Sequence, residues 1–124
     1  MLRLLLFTTL TSSVIKVSHC TVSASVSMAL RSVDFEIFGR VQGVFFRKYT
    51  KNQADKLGLK GWCMNTSRGT VQGQMQGPND KVESMMQWLK TTGSPSSKID
   101  KADFINNKEI DDYTFKSFDI RRDD

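Results

Sequence analysis

The sequence predicts an α+β fold of the ferredoxin-like type, in which the elements follow the order β-α-β-β-α-β and a short extra strand closes the chain. The expected sheet is antiparallel and is covered on one face by two helices. Three observations lead to this prediction. Apolar residues alternate with polar ones near position 35, two later segments have apolar residues at helical spacing, and a turn-rich stretch separates two strand-like segments between them.

The first strand and the first helix follow from a change in periodicity. Apolar residues at 33, 35 and 37 alternate with two acids, which is typical of a half-buried strand. From Phe46 to Leu57 apolar positions recur at helical spacing, with Tyr49 or Thr50 and Gln53 or Ala54 as alternatives on the buried stripe. The glycine at 58 is a natural end for this helix.

The middle of the chain predicts a hairpin followed by a second helix. Residues 60–64 and 70–76 have strand character, and the segment 65–69 between them is rich in turn formers. A glycine-proline pair at 77–78 favours a helix start, and Gly93 ends the helix. The expected apolar stripe of this helix consists of Val82, Met85 or Met86, and Leu89.

The last third of the chain predicts two further strands, over 99–105 and 115–121, separated by polar turn material over 106–112. One domain therefore occupies residues 33–122. It is preceded by an N-terminal leader over 1–32 and followed by a tail at 123–124. The domain contains no internal repeat and no low-complexity tract.

The leader is basic, rich in hydroxyl groups and free of acidic residues. Its apolar run behind Arg3 is too short to span a bilayer. Three interpretations stay open: a secretory signal, a mitochondrial presequence, or sequence upstream of the true start. Met28 favours the third, because a start there places only a few residues before the first strand.

The net charge of +5 is concentrated in the leader, since the first 33 residues hold three basic residues and no acid. The remaining domain is only mildly basic, which argues against nucleic acid as a partner. The sequence has no apolar run of membrane length, so we also expect no membrane partner.

The segment Gly39–Arg47 has the features of an anion site. It leaves a strand, turns through Gly39 and Gly43, and enters a helix whose first turn carries Arg47. Glycines allow successive backbone N–H groups to face one concavity, and a helix N-terminus adds donors and a partial positive charge. A guanidinium group matches a phosphate in shape and charge. A purely structural glycine turn is the alternative at this point.

Residues suited to covalent or metal catalysis are scarce in the domain. The only histidine, His19, and one of the two cysteines, Cys20, lie in the leader. Cys63 is expected to be a small buried strand residue, and the paired acids at 111–112 and 123–124 are expected to be solvated. The sequence also lacks a nucleotide P-loop motif. We therefore expect no metal and no cofactor, and catalysis would depend on positioning and electrostatics.

Five ordered blocks of the sequence resemble the acylphosphatases. The resemblance extends from about Val33 to Arg121, and five blocks in the family's order are more specific than any single block. The blocks are Gly39–Arg47, Gly58–Val71, Gly77–Leu89, Gly93–Ser97 and Phe118–Arg121.

The resemblance implies metal-independent hydrolysis of small-molecule acyl phosphates to a carboxylate and inorganic phosphate, without a cofactor. It implies that Arg47 holds the phosphate oxygens and that Asn65 orients the attacking water. Gly39 and Thr66 are expected to support these groups, and a monomer is the simplest expectation. The phosphate would be wrapped by the backbone of a loop made of Gln42, Gly43, Val44, Phe45 and Phe46.

Two alternatives share the predicted fold: a phosphate-binding domain without catalysis and an RNA-binding module. The presence of both Arg47 and Asn65 favours an enzyme over these two alternatives. Arg68 is expected to be solvated. The chain ends in Arg122-Asp123-Asp124, whereas the family often ends in an aromatic residue, so no role of such a terminus is transferred to this chain.

The expected location is the cytoplasm. Asn65-Thr66-Ser67 is also an N-glycosylation sequon, and a glycan there would block the expected site. The domain has a single cysteine and forms no internal disulfide, which suits a reducing compartment. Mitochondria are the alternative if the leader is translated and acts as a presequence, and secretion is less favoured.

Overall fold

The computed structural model describes residues 29–122. Met28, His19 and Cys20, together with most of the predicted leader, lie outside the described residues, as does the tail at 123–124. Within the described range no helix is long and apolar enough to cross a membrane.

Two helices pack on a five-stranded sheet whose strand order is β4-β1-β3-β2-β5. Strands β1 and β2 both run antiparallel to β3, which lies between them, so the two strands are parallel to each other and their C-terminal ends meet at one edge of the sheet. The elements are β1 (Leu30–Arg40), α1 (Phe46–Leu57), β2 (Lys60–Asn65), β3 (Val71–Pro78), α2 (Asn79–Thr91), β4 (Lys98–Ile110) and β5 (Phe118–Ile120).

The core lies between the sheet and the two helices. The alternation predicted for the first strand is confirmed, because Val33, Phe35 and Ile37 are buried. Helix α1 buries Thr50 and Ala54, which settles the alternatives left open by the sequence, and α2 buries Val82, Met85 and Leu89. Each large apolar side chain buried here contributes roughly 1.5–3 kcal/mol. The predicted ferredoxin-like α+β fold is confirmed.

The sheet is mixed and not wholly antiparallel. The closing strand β5 pairs in parallel with β2, with Gly61 opposite Phe118 and Cys63 opposite Ile120. This strand is also shorter than the predicted segment 115–121. Because β5 runs parallel to β2, its C-terminal end reaches the same sheet edge as the ends of β1 and β2.

The prediction of a polar turn over 106–112 is wrong for most of that segment, which continues β4 to Ile110. β4 is an edge strand, so polar side chains are tolerated along it. Its pairing with β1 shifts register between Ser32 and Asp34, and the facing residue Asn106 has a positive φ of 54°. This bulge lets the strand continue through a sequence that has turn composition.

Candidate active site

The connection between β1 and α1 is a tight loop over residues 41–45 that depends on unusual backbone angles. Gly39 has a φ of 126°, and a Cβ at this position would collide with the carbonyl oxygen of Lys98 in the neighbouring strand. Gly43 has a φ of 74°, in the left-handed region that glycine enters without strain. Phe45 has a φ of 60° without being glycine, so the loop holds one residue in a conformation that costs of order 1–3 kcal/mol.

The loop presents backbone donors at the start of α1. The first backbone bond of the helix runs from the N–H of Tyr49 to the carbonyl oxygen of Phe45, at 3.0 Å. Among residues 29–122, the N–H groups of 43–46 donate to no acceptor. Such a cluster of donors at a helix N-terminus favours an anion.

Arg47 and Asn65 line one cavity of about 320 Å³ at the edge where β1, β2 and β5 end. Arg47 is half-buried in the first turn of α1, while Asn65 is the last residue of β2. A permanent cation and a polar amide therefore face the same space as the loop. The cavity is lined by Val41, Gly43, Phe45, Phe46, Arg47, Lys48, Asn65 and Ile120.

Asn65 is only 8% exposed, and its Oδ1 atom has no hydrogen-bond partner among the described residues. A buried acceptor left in this state costs about 1–3 kcal/mol. Such a cost is typical of groups that serve a bound molecule, and Oδ1 is an acceptor suited to the hydrogen of a water or a ligand.

The side chain of Gln42 joins the loop to the hairpin that carries Asn65. Its Nε2 donates to the carbonyl oxygens of Thr66 and Thr70, both at 2.9 Å. These two carbonyls lie on either side of the β2–β3 turn. Thr66 and Thr70 are also joined through their hydroxyl groups, at 2.6 Å. The two halves of the site are thus fixed relative to each other.

Glu36 of β1 braces the same hairpin from the open face of the sheet. Its Oε2 accepts from the hydroxyl of Thr70 at 2.6 Å and from Nη2 of Arg68 at 2.7 Å. The hydrogen bond from Thr70, followed by that from Arg68 and its charge, holds the pKa of Glu36 below its ordinary value of 4.5, against an opposing effect of burial. The expectation that Arg68 is solvated is corrected: its side chain stays 57% exposed but forms this ion pair.

Cys63, two residues before Asn65, is fully buried, as expected for a strand residue. Burial raises the pKa of its thiol to about 12, so it stays protonated and is no nucleophile near neutral pH. Its Sγ donates to the carbonyl oxygen of Arg47 at 3.9 Å and so connects β2 to the first turn of α1. In residues 29–122 no group of three or more His, Cys, Asp or Glu side chains is arranged to hold a metal ion.

The structure places the predicted site residues in four different positions. Gly43, Phe45, Phe46, Arg47 and Asn65 line the cavity. The side chains of Gln42 and Thr66 do not line the cavity, and instead form the hydrogen bonds to the β2–β3 hairpin described above. Val44 packs against the core, and Gly39 lies outside the lining, where β1 pairs with β4.

Sequence reasoning missed three residues of the lining: Val41, Lys48 and Ile120. Lys48 follows Arg47 on the helix. A second basic residue beside Arg47 at a helix start could have indicated from the sequence that Lys48 belongs to the anion site. Ile120 belongs to a block used for the family resemblance, but only the parallel pairing of β5 with β2 brings it to the cavity.

Comparison with known proteins gives matches in both sequence and fold. The model of the acylphosphatase family matches residues 33–120. Acylphosphatase-2 of Homo sapiens is 56% identical over 97 residues, which cover 78% of this chain and 98% of that protein. Acylphosphatase-1 of Mus musculus is 62% identical over 91 residues, covering 73% and 92%. The crystal structure of acylphosphatase from Bacillus subtilis superposes with a TM-score of 0.66 at 32% identity, covering 73% of this chain and 98% of that one.

Proposed function

This chain belongs to the acylphosphatase family, and we propose that it hydrolyses the carboxyl–phosphate bond of acyl phosphates with Arg47 and the loop amides holding the phosphate and Asn65 orienting the attacking water. One observation carries this division of roles. Arg47, three residues of the loop (Gly43, Phe45 and Phe46) and Asn65, whose Oδ1 has no partner among residues 29–122, line one cavity although they come from two separate parts of the chain.

Phosphate binding is assigned to the loop and Arg47. The phosphate carries negative charge on its oxygens, and the transition state of phosphoryl transfer spreads that charge over three of them. The N–H groups of Gly43 to Phe46 and the guanidinium of Arg47 supply positive potential already in place before substrate arrives. Such preorganised donors are the usual source of transition-state stabilisation.

Asn65 is assigned to the water. An amide is no base near neutral pH, so it acts by orientation, with Oδ1 accepting one hydrogen of the water. The water oxygen forms the new bond to phosphorus, and the bond between phosphorus and the acyl oxygen breaks. The carboxylate leaves with that electron pair and needs no general acid, and the water's proton passes to a phosphate oxygen. Correct alignment can supply much of the rate enhancement in such a reaction.

We further propose that the chain works without a metal or a cofactor, as a monomer, in the cytoplasm. The charge of Arg47 and the loop donors serve the role that a metal would otherwise fill on the phosphate oxygens. The compartment proposal rests on the sequon at Asn65, whose glycosylation would block the cavity. Mapping the N-terminus and Asn65 of the native protein by mass spectrometry tests it. A processed, secreted form free of glycan would contradict it.

The decisive experiment measures hydrolysis of benzoyl phosphate by the purified chain in excess EDTA. We expect turnover that releases benzoate and inorganic phosphate in equal amounts. A double variant lacking both Arg47 and Asn65 side chains serves as the control for spontaneous hydrolysis. A folded chain that binds phosphate or RNA but gives no turnover would favour the two alternatives, a phosphate-binding domain or an RNA-binding module.

A further inference from the structure

Phe45 combines two features that folding alone does not explain. Its φ of 60° places a bulky aromatic residue in the left-handed region, where such a residue is an outlier. Its side chain is also 72% exposed, so the ring contributes little to the core. Glycine would adopt the same backbone conformation without strain. A strained residue that gains little from packing is typical of a functional position.

Phe45 offers accessible apolar surface in the candidate active-site cavity. It belongs to the lining of that cavity, together with three other apolar residues, Val41, Phe46 and Ile120. Val41 and Phe46 are each 1% exposed, whereas Ile120 is 41% exposed. A molecule in the cavity contacts only surface that it can reach. Among the apolar lining residues within 29–122, Phe45 and Ile120 therefore provide the accessible apolar surface.

The position of the phosphate distinguishes Phe45 from Ile120, if the proposed function holds. The proposed phosphate cradle includes the backbone N–H of Phe45 itself. The acyl group is joined to that phosphate through a single oxygen, so its first atoms remain close to the loop whichever way the group extends. Ile120 belongs to β5, and a partly exposed isoleucine on a short edge strand needs no special explanation.

We propose that the side chain of Phe45 is the apolar contact for the acyl group and gives the chain a preference for acyl phosphates with an aromatic group next to the carbonyl. The strained backbone then presents an N–H and a ring of one residue to the same cavity, whereas glycine would supply the N–H alone. Two aromatic rings in contact gain attraction beyond the area that they bury, and the exposed ring of Phe45 is available for such a pair.

The experiment compares benzoyl phosphate with acetyl phosphate, which share the reacting group and differ in the ring. For the original chain KM should be ~10-fold lower for benzoyl phosphate, as expected for one aromatic contact. Phe45→Gly removes the ring, retains the backbone conformation and should reduce this ratio to about 2-fold or less. Phe45→Tyr retains the ring and should retain the ratio. The ratio of the two KM values is the readout, because a general disturbance of the loop changes both values by the same factor.

Two further variants control for the position of the ring. Tyr49→Ala removes another exposed aromatic side chain, one helical turn after Phe45 and absent from the cavity lining, and should leave the ratio unchanged. Ile120→Ser tests the other accessible apolar residue and should also retain the ratio. Urea unfolding of Phe45→Gly should have a midpoint equal to or above that of the original chain, because glycine removes the strain at this position.

The role of Phe45 would be overturned by equal KM values for the two substrates in the original chain, or by a preference that survives Phe45→Gly. Loss of the preference in Ile120→Ser alone would assign the acyl group to β5 instead. A clearly lower urea midpoint for Phe45→Gly would show that the ring serves the fold. Absence of turnover with both substrates would contradict the proposed function itself, so the two failures are distinguishable.

Discussion

The side-chain amide of Gln42 donates a 2.9 Å hydrogen bond to the backbone carbonyl oxygen of Thr66, the residue that follows Asn65. A residue of the β1–α1 loop is thereby fixed to the strand end that supplies the candidate water-orienting group. The same nitrogen donates to Thr70 on the opposite side of the turn. The position of the loop relative to Asn65 thus depends on one side chain that lines no part of the cavity.

Gln42→Ala should lower kcat by roughly 10-fold, because reacting groups that are misplaced by a fraction of an ångström lose alignment. The fold should survive, with a loss of about 1–2 kcal/mol for two hydrogen bonds. Steady-state kinetics and urea unfolding measure the two effects. Gln74→Ala is the matched control, since Gln74 bonds to Ser32 on the open face of the sheet and should leave kcat unchanged. Equal kinetics for both variants would contradict the positioning role.

Arg47→Ala should lose both substrate binding and turnover in a folded protein. Each charge-assisted contact to a phosphate oxygen contributes roughly 1.5–3 kcal/mol, so kcat/KM should fall by at least ~10²-fold. Lysine should rescue little, because it lacks the planar pair of donors. Circular dichroism checks the fold, and Arg40→Ala provides a control at an exposed arginine just before the loop. Near-normal activity of Arg47→Lys would exclude two-point binding of the phosphate.

Asn65→Ala should separate binding from chemistry. If Asn65 orients water, kcat should fall by at least ~10²-fold while inorganic phosphate still inhibits competitively with an almost unchanged constant. Stability should change little or rise slightly, because the variant removes a buried oxygen that has no partner among residues 29–122. Loss of phosphate affinity with retained kcat would instead place Asn65 in the phosphate cradle. Asn52→Ala, on the exposed side of α1, controls for the substitution itself.

The elements of this fold were predictable wherever local pattern and tertiary environment agree. Helix α1 begins at Phe46 and ends at Leu57 as predicted, because its apolar spacing and Gly58 act over neighbouring residues. The strand through Asn106 was missed, since its polar side chains match a turn and only the pairing with β1 stabilises them as a strand.

The candidate site likewise has a part that was predictable from local sequence and a part that was not. The motif around Arg47 is contiguous in sequence, so its residue types could be interpreted without a structure. The partners of Gln42 lie 24 and 28 residues away, and the bond from Thr70 to Glu36 spans 34 residues. Such contacts follow from sheet register, which a single sequence does not specify.

The stability of the folded chain should depend on pH through the ionisation of Glu36. The hydrogen bond from Thr70 and the pairing with Arg68 hold the pKa of Glu36 below its ordinary value of 4.5 in the folded chain. The unfolded chain therefore takes up this proton first as the pH falls. The stabilisation by ionised Glu36 is fully present above pH 4.5 and is lost as the pH falls through the lowered native value.

Glu36→Gln should thus destabilise the chain by about 1 kcal/mol at pH 7, a figure reduced by the solvent exposure of Arg68. The difference in the free energy of unfolding between the original chain and Glu36→Gln should shrink steadily as the pH is lowered below 4.5. Urea unfolding at several pH values measures this difference. Glu83→Gln, on the exposed face of α2, is the matched control and should show a small difference at every pH. Acid lowers the stability of all three proteins through their other carboxyl groups, and this shared effect cancels when the free-energy difference of each variant from the original chain is compared. If the loss of unfolding free energy in Glu36→Gln stayed constant from pH 7 down to the lowest pH at which the chain is folded, Glu36 would act by its shape and not by its charge.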